Sequence, residues 1–150
     1  WASLILDGHH LPPSVARCLI RCKGVERIIL ISDAIAAAGM PPGSYQLRGQ
    51  TIEVSPDLRC SLSGTPYLAG SVISLRFAVS NAVWLAQVAP VQAVRMATLH
   101  PARLFGLEER QGRLAIGQEA SLIVCRWRPW GKEVEILSTI VAGKVVYSAV

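Results

Sequence analysis

Three short stretches of the chain carry side chains able to do chemistry: Leu4–His10 (LILDGHH), Ile31–Ala34 (ISDA) and Leu68–Ser71 (LAGS). Asp33 follows directly on the apolar run Ile28–Ile31. A carboxylate at the C-terminal end of a buried parallel strand is where α/β enzymes place a general base or acid. The same residue also suits a loop that it braces through its own backbone, a common use of aspartate. His9 and His10 follow another strand-like run, and adjacent side chains on extended backbone point opposite ways. At most one of them then faces a common site, where a neutral imidazole ligates, shuttles a proton or contacts a phosphate. Asp7 either joins that site or stabilises the turn. Gly70 and Ser71, placed before a helix-like segment, offer free N–H groups and the positive end of a helix dipole to an anion or a polar substrate group. An ordinary N-cap has the same appearance.

Positioning these groups calls for a strand, a helix and a second strand. Leu4–Leu6 reads as a short buried strand, and Pro12 and Pro13 then open a helix whose stop is Gly24. Val15, Cys18, Leu19 and Cys22 recur on it at helical spacing. Ile28–Ile31 is the second strand, apolar throughout, as a parallel strand covered on both faces is. The crossover length predicts a βαβ unit, with the histidines and Asp33 at two strand ends on one rim. Beyond Asp33 a Gly/Pro-rich loop leads to a hairpin over Tyr45–Leu47 and Gln50–Val54, turning at Arg48 and Gly49, and residues 55–71 read as loop. A long amphipathic helix is expected from Ser71, with Ser71 as its N-cap and Val72, Leu75, Val79, Ala82, Val83 and Ala86 as its stripe. Pro90 opens a second helix through Val91, Val94 and Ala97, and Pro101 a short third that ends at Gly106. Strands at Leu122–Arg126, Glu133–Val141 and Lys144–Tyr147 follow, the last two joined at Ala142 and Gly143.

With 150 residues, 51% of them hydrophobic and 17% charged, the chain suffices for one core and is not a disordered segment. No apolar run reaches the roughly 18–20 residues of a membrane span. The net charge of +5 is scattered. Its densest patch, Arg126, Arg128 and Lys132 interleaved with Trp127 and Trp130, reads as a solvated hairpin, and no nucleic-acid partner is expected. The four cysteines lack zinc spacing, so free, mostly buried thiols in a reducing compartment are expected. The opening on Trp1, with no signal-peptide pattern, and the apolar excess together suggest a piece of something longer.

Six segments follow one another along nearly the whole chain: LDGHHL, LISDAIAAAG, GTPYLAGS, RMATLHPARLFGL, GRLAIGQEASLIV and TIVAGKVVY. Together they resemble the C-terminal part of N-acetylglucosamine-6-phosphate deacetylases, members of the amidohydrolase superfamily. The most specific piece is the Asp-Gly-x-His strand end followed by the Ser-Asp-Ala strand end. The resemblance implies an α/β fold: the last two strands and helices of a (β/α)8 TIM barrel over residues 1–106, with the hairpin near 45–54 as an excursion. Residues 107–150 would be the C-terminal strands of a small β-sandwich. The resemblance further implies that Asp33 is the catalytic group that activates water and then protonates the leaving amine. His10 would contact the substrate and help polarise the acyl carbonyl. Asp7, Gly8 and His9 would share that substrate-binding turn, with Ala69, Gly70 and Ser71 at the sugar's edge. A divalent metal of the zinc or iron class is implied for the complete enzyme, its ligands on earlier strands, so this fragment alone is expected to bind none.

The implied reaction removes the acetyl group from N-acetylglucosamine 6-phosphate, giving glucosamine 6-phosphate and acetate, in a cytoplasmic homodimer with no membrane partner. The isolated chain is expected to be inactive. Two other readings stand beside it: an amidohydrolase for another N-acyl or cyclic amide, and a non-catalytic fragment serving as an interaction module. The chain departs from the family pattern at Pro66 and Tyr67, and at His100, where asparagine is frequent.

Overall fold

The computed structural model describes residues 1–127 and 134–149. Strands β1 (Ala2–Ile5) and β2 (Ile28–Ile31) pair in parallel, from Ala2 against Ile28 to Ile5 against Ile31. Helix α1 (Pro13–Lys23) crosses between them and completes the βαβ unit. It starts where Pro13 enters the first turn, and it stops at Gly24, whose N–H bonds the Ile20 carbonyl at 3.0 Å. The strand expected at Leu4–Leu6 runs earlier and ends at Ile5, so Leu6 and Asp7 already lead into the turn.

After β2 the chain builds a separate antiparallel sheet from β3 (Gly43–Leu47), β4 (Gln50–Val54) and β5 (Cys60–Leu62). The hairpin turns at Arg48 and Gly49, both at positive φ, as a two-residue turn between twisted strands requires. The third strand falls in a segment expected to be loop.

The helix expected from Ser71 starts later. Residues 71–74 are not helical, and α2 spans Leu75–Trp84, with Ser74 at the N-cap position and no side-chain cap bond. The reason lies in alternation: Val72 enters the core of the small sheet beside Ile52, Val54 and Cys60, whereas Ile73 enters the main core. Successive residues facing opposite ways is strand behaviour.

Helices α3 (Pro90–Ala97) and α4 (Leu99–Leu104) follow, the latter starting two residues before Pro101. An antiparallel sheet of β6 (Leu122–Trp127), β7 (Val134–Val141) and β8 (Lys144–Ser148) comes next, with Ala142 and Gly143 at the β7–β8 turn. Arg128, Trp130, Lys132 and Glu133 lie outside the described residues; Arg126 bonds the Glu135 carboxylate at 2.9 Å across β6 and β7. Among the described residues no helix is long and apolar enough to cross a membrane.

The main core joins β1, β2 and the helices through Leu4, Leu6, Ile20, Ile28, Leu30, Ile73 and Met96. The helix faces turned towards it are made largely of alanine: Ala16, Ala78, Ala82 and Ala93 are at most 1% exposed. The stripe expected inward on α1 instead faces out, with Val15 and Leu19 each 41% exposed, and Val91 and Val94 of α3 do the same. Small residues let these helices approach closely, with Ile20, Val79 and Met96 as the larger side chains that also enter the core. Cys18, Cys22 and Cys125 are exposed and only Cys60 is buried, which corrects the expectation of mostly buried thiols; all four are free. His100 on α4 is buried and donates from Nδ1 to the Ile28 carbonyl at 2.9 Å, tying that helix to the start of β2.

Candidate active site

The two parallel strands end side by side. Asp7 and Asp33 each lie two residues beyond the last paired residues, Ile5 and Ile31. Neighbouring strands lie about 4.8 Å apart, so both strand ends contribute to one rim. Asp33 has a φ of 47°, a left-handed conformation that aspartate and asparagine tolerate better than most residues. The chain turns sharply there, and the exposed Asp33 makes no hydrogen bond or ion pair among the described residues. A solvent-facing carboxylate without an internal partner is available to a substrate; it does not brace its own loop.

At the neighbouring strand end the Asp7 side chain is 2% exposed. Its Oδ1 accepts the backbone N–H groups of His9 and His10, both at 2.9 Å, and Oδ2 lies 2.6 Å from Nδ1 of the His10 ring. The β1 end beneath it is held from another element, because Asn81 of α2 donates to the Leu6 carbonyl at 2.7 Å. Burial acts to raise the Asp7 carboxyl pKa. The hydrogen bonds from the His10 and His9 backbones and from the His10 ring outweigh it, and hold the group below the ordinary value of 3.8.

A carboxyl ionised more readily in the folded than in the unfolded chain stabilises the fold above its unfolded pKa, and loses that effect as pH falls through its folded pKa. Asp7 should therefore stabilise the protein fully above about pH 4 and progressively less below it. Thermal melts of wild type and Asp7→Asn between about pH 6 and pH 3 should converge on acidification. A constant gap across that range would contradict the assignment.

The two histidines separate as adjacent residues on a turning chain do. His9 reaches away from His10, its Nε2 donating to the Asp57 carbonyl at 3.0 Å and standing 3.9 Å from the Asp57 carboxylate. This contact ties the strand-end turn to the loop between β4 and β5. Sequence reasoning missed both Asp57 and Asn81: they lie 48 and 75 residues from their partners, and neither belongs to a recognisable motif.

In the third stretch Gly70 packs against the Asp33 loop. A Cβ at Gly70, whose φ is 111°, would stand 2.6 Å from Cγ2 of Ile35, so only glycine allows this approach. Ser71 is buried. Its carbonyl accepts the Ile35 N–H at 3.0 Å and its hydroxyl accepts the Ile73 N–H at 3.3 Å. Ser71 thus stands three residues ahead of the N-cap of α2, away from the helix end expected to bind an anion. Ala69 donates its N–H to the Cys60 carbonyl and links the stretch to β5. An apolar cavity of about 450 Å³ opens elsewhere, between α4 and residues 107–123, and neither Asp33 nor a histidine lines it.

Residues 24–146 match the model of the amidohydrolase family. An N-acetylgalactosamine-6-phosphate deacetylase of Escherichia coli O157:H7 is 45% identical over 123 residues, 82% of this chain and 32% of that protein. The N-acetylglucosamine-6-phosphate deacetylase of Vibrio furnissii is 33% identical over 149 residues, 99% of this chain and 35% of the enzyme. The crystal structure of the N-acetylglucosamine-6-phosphate deacetylase of Pasteurella multocida superposes with a TM-score of 0.83 at 28% identity, covering 97% of this chain and 36% of that one. The chain thus spans about a third of the length of each of these relatives. Because the family model matches most of this chain, residues 24–146, the chain belongs to the amidohydrolase family.

Proposed function

We propose that these residues form one wall of the active site of an amino-sugar 6-phosphate deacetylase, which hydrolyses the 2-acetamido group to a free amine and acetate. The observation that carries the reading is the shared rim: an Asp-Gly-x-His strand end beside a Ser-Asp-Ala strand end on parallel strands in register. Asp33 is the proton carrier. As a carboxylate it takes a proton from the attacking water, and as an acid it returns one to the departing amine. His10 meets the acyl group or a neighbouring hydroxyl, and Gly8 and His9 complete the turn beneath it. Ala69, Gly70 and Ser71 would lie at the sugar's edge, where Gly70 packs against Ile35 of the Asp33 loop and Ser71 bonds it. Residues 1–106 would be the barrel portion and 107–150 the portion of the small sandwich.

The family resemblance also implies a divalent metal of the zinc or iron class. Among the described residues no three His, Cys, Asp or Glu side chains converge to hold one, so these residues alone do not make up a ligand set for it. The acetamide chemistry at C2 is the same whether the sugar is N-acetylglucosamine or N-acetylgalactosamine 6-phosphate. The second sugar is kept as an alternative because identity to the Escherichia coli protein, 45%, exceeds the 33% to the Vibrio enzyme. A cytoplasmic homodimer is the corresponding proposal for the assembly.

The test is acetate release by a full-length deacetylase carrying these 150 residues, with the two sugar phosphates, N-acyl amino acids and cyclic amides offered in parallel. At least about a hundredfold preference in kcat/KM for a sugar phosphate is expected, and the 150-residue chain by itself should release none. Preference for an acyl amino acid or a cyclic amide would overturn the substrate class. Release by the chain alone would overturn its role as a partial site.

A further inference from the structure

We propose that Asp7 is a positioning residue that fixes the proton of His10 on Nδ1 and so presents Nε2 alone to the substrate. The inference rests on the site reading above. The three hydrogen bonds divide unequally between the carboxylate oxygens: Oδ1 takes the two backbone N–H groups, and Oδ2 faces Nδ1. Ionised as its lowered pKa requires, Asp7 is acceptor-only, so Nδ1 must be the donor. A neutral ring held in this way accepts at Nε2, from a hydroxyl or water. A doubly protonated ring donates there, to an acyl oxygen. In either state Nδ1 is removed from the substrate and the ring plane is fixed.

The same geometry explains why a carboxylate, and not an amide, is required. An asparagine at this position has one oxygen, and the two backbone donors would claim it. The amide NH2 would then face Nδ1 and force it to accept, moving the proton of a neutral ring to Nε2. Asp7→Asn therefore inverts the tautomer while leaving the turn's backbone bonds in place.

Nitrogen-15 NMR of the His10 side chain in the full-length protein reads this directly. Nδ1 should carry a proton in the wild type at neutral pH, and in Asp7→Asn it should be bare. A bare Nδ1 in the wild type would overturn the proposal without any variant needing to fold. Kinetics supply a second reading. Asp7→Asn should lower kcat about 10–100-fold with little change in KM. In a His10→Ala background the same change should cost less than about threefold, because residues acting as a unit are not additive. A full additive loss in the double variant would mean that Asp7 acts on something other than His10. Unchanged turnover in His10→Ala would overturn the role of His10 in the site reading itself. The Nδ1 measurement is independent of turnover and separates the two failures.

Discussion

Gly112→Ala is expected to lower the melting temperature of the protein by roughly 5–15 °C. A Cβ built at Gly112 would stand 2.6 Å from Cβ of Ala102, 3.1 Å from the Thr98 carbonyl oxygen and 3.2 Å from Cα of Leu99. These neighbours are helix backbone and a methyl group, which have no rotamer to change. Gly112 also holds a φ of 99°, a region that residues with a side chain rarely enter. Overpacking costs about 1–3 kcal/mol and the forced backbone conformation about as much, for a total of about 2–5 kcal/mol. Each kcal/mol is worth roughly 2–4 °C in a chain of this size.

The damage should spread inward from there. Relief requires the 107–112 segment to lift from α4, the helix whose His100 is bonded to the Ile28 carbonyl at the start of β2. The expected signature is a lower melting temperature measured by circular dichroism. A shift under about 2 °C would show that this segment is not seated on α4.

Local signals in the sequence located the βαβ unit, and the structure keeps them. The apolar run of β2 occupies Ile28–Ile31, and Pro13 and Gly24 bound α1 closely. Sequence periodicity misassigned the inward face of α1 and α3, whereas Val79, Ala82 and Ala86 of the stripe expected around α2 are buried. Bulky side chains such as Val15, Leu19, Val91 and Val94 form a convincing stripe, yet close packing on the sheet selects Ala16 and Ala93. Hydrophobicity ranks an alanine face below a valine face, whereas geometry decides by size. The extended stretch at 71–74 escaped for a related reason. Val72 and Ile73 are apolar neighbours serving two different cores, and a helical template absorbs both.

The positions of Asp33 and His10 just past two neighbouring strand ends were legible from the apolar runs that precede them. The separation of His9 from His10 was legible from alternation. The contact of His9 with Asp57 was not, since it depends on how a sheet 48 residues away folds over the turn. For Asp7 the sequence leaves two roles open, joining the site or stabilising the turn, and its carboxylate is turned inward onto His10. An aspartate followed by glycine and two residues with available N–H groups is itself a turn signal, and it points to that use.

Asp33→Asn in a full-length deacetylase carrying these residues tests the proposed proton transfer by Asp33 most directly. Asparagine matches aspartate in shape and tolerates the φ of 47°, so the loop should keep its course. No hydrogen bond or ion pair among the described residues depends on the carboxylate, so the melting temperature should stay unchanged. General acid–base catalysis contributes about 10²–10⁴ in rate, or about 3–5 kcal/mol of barrier. The measurement is kcat and KM for acetate release from the sugar phosphate, beside a thermal melt of the same preparation. The expected result is a fall in kcat of about 10²–10⁴ with KM altered no more than a few fold. A variant that melts with the wild type and retains its turnover would contradict it.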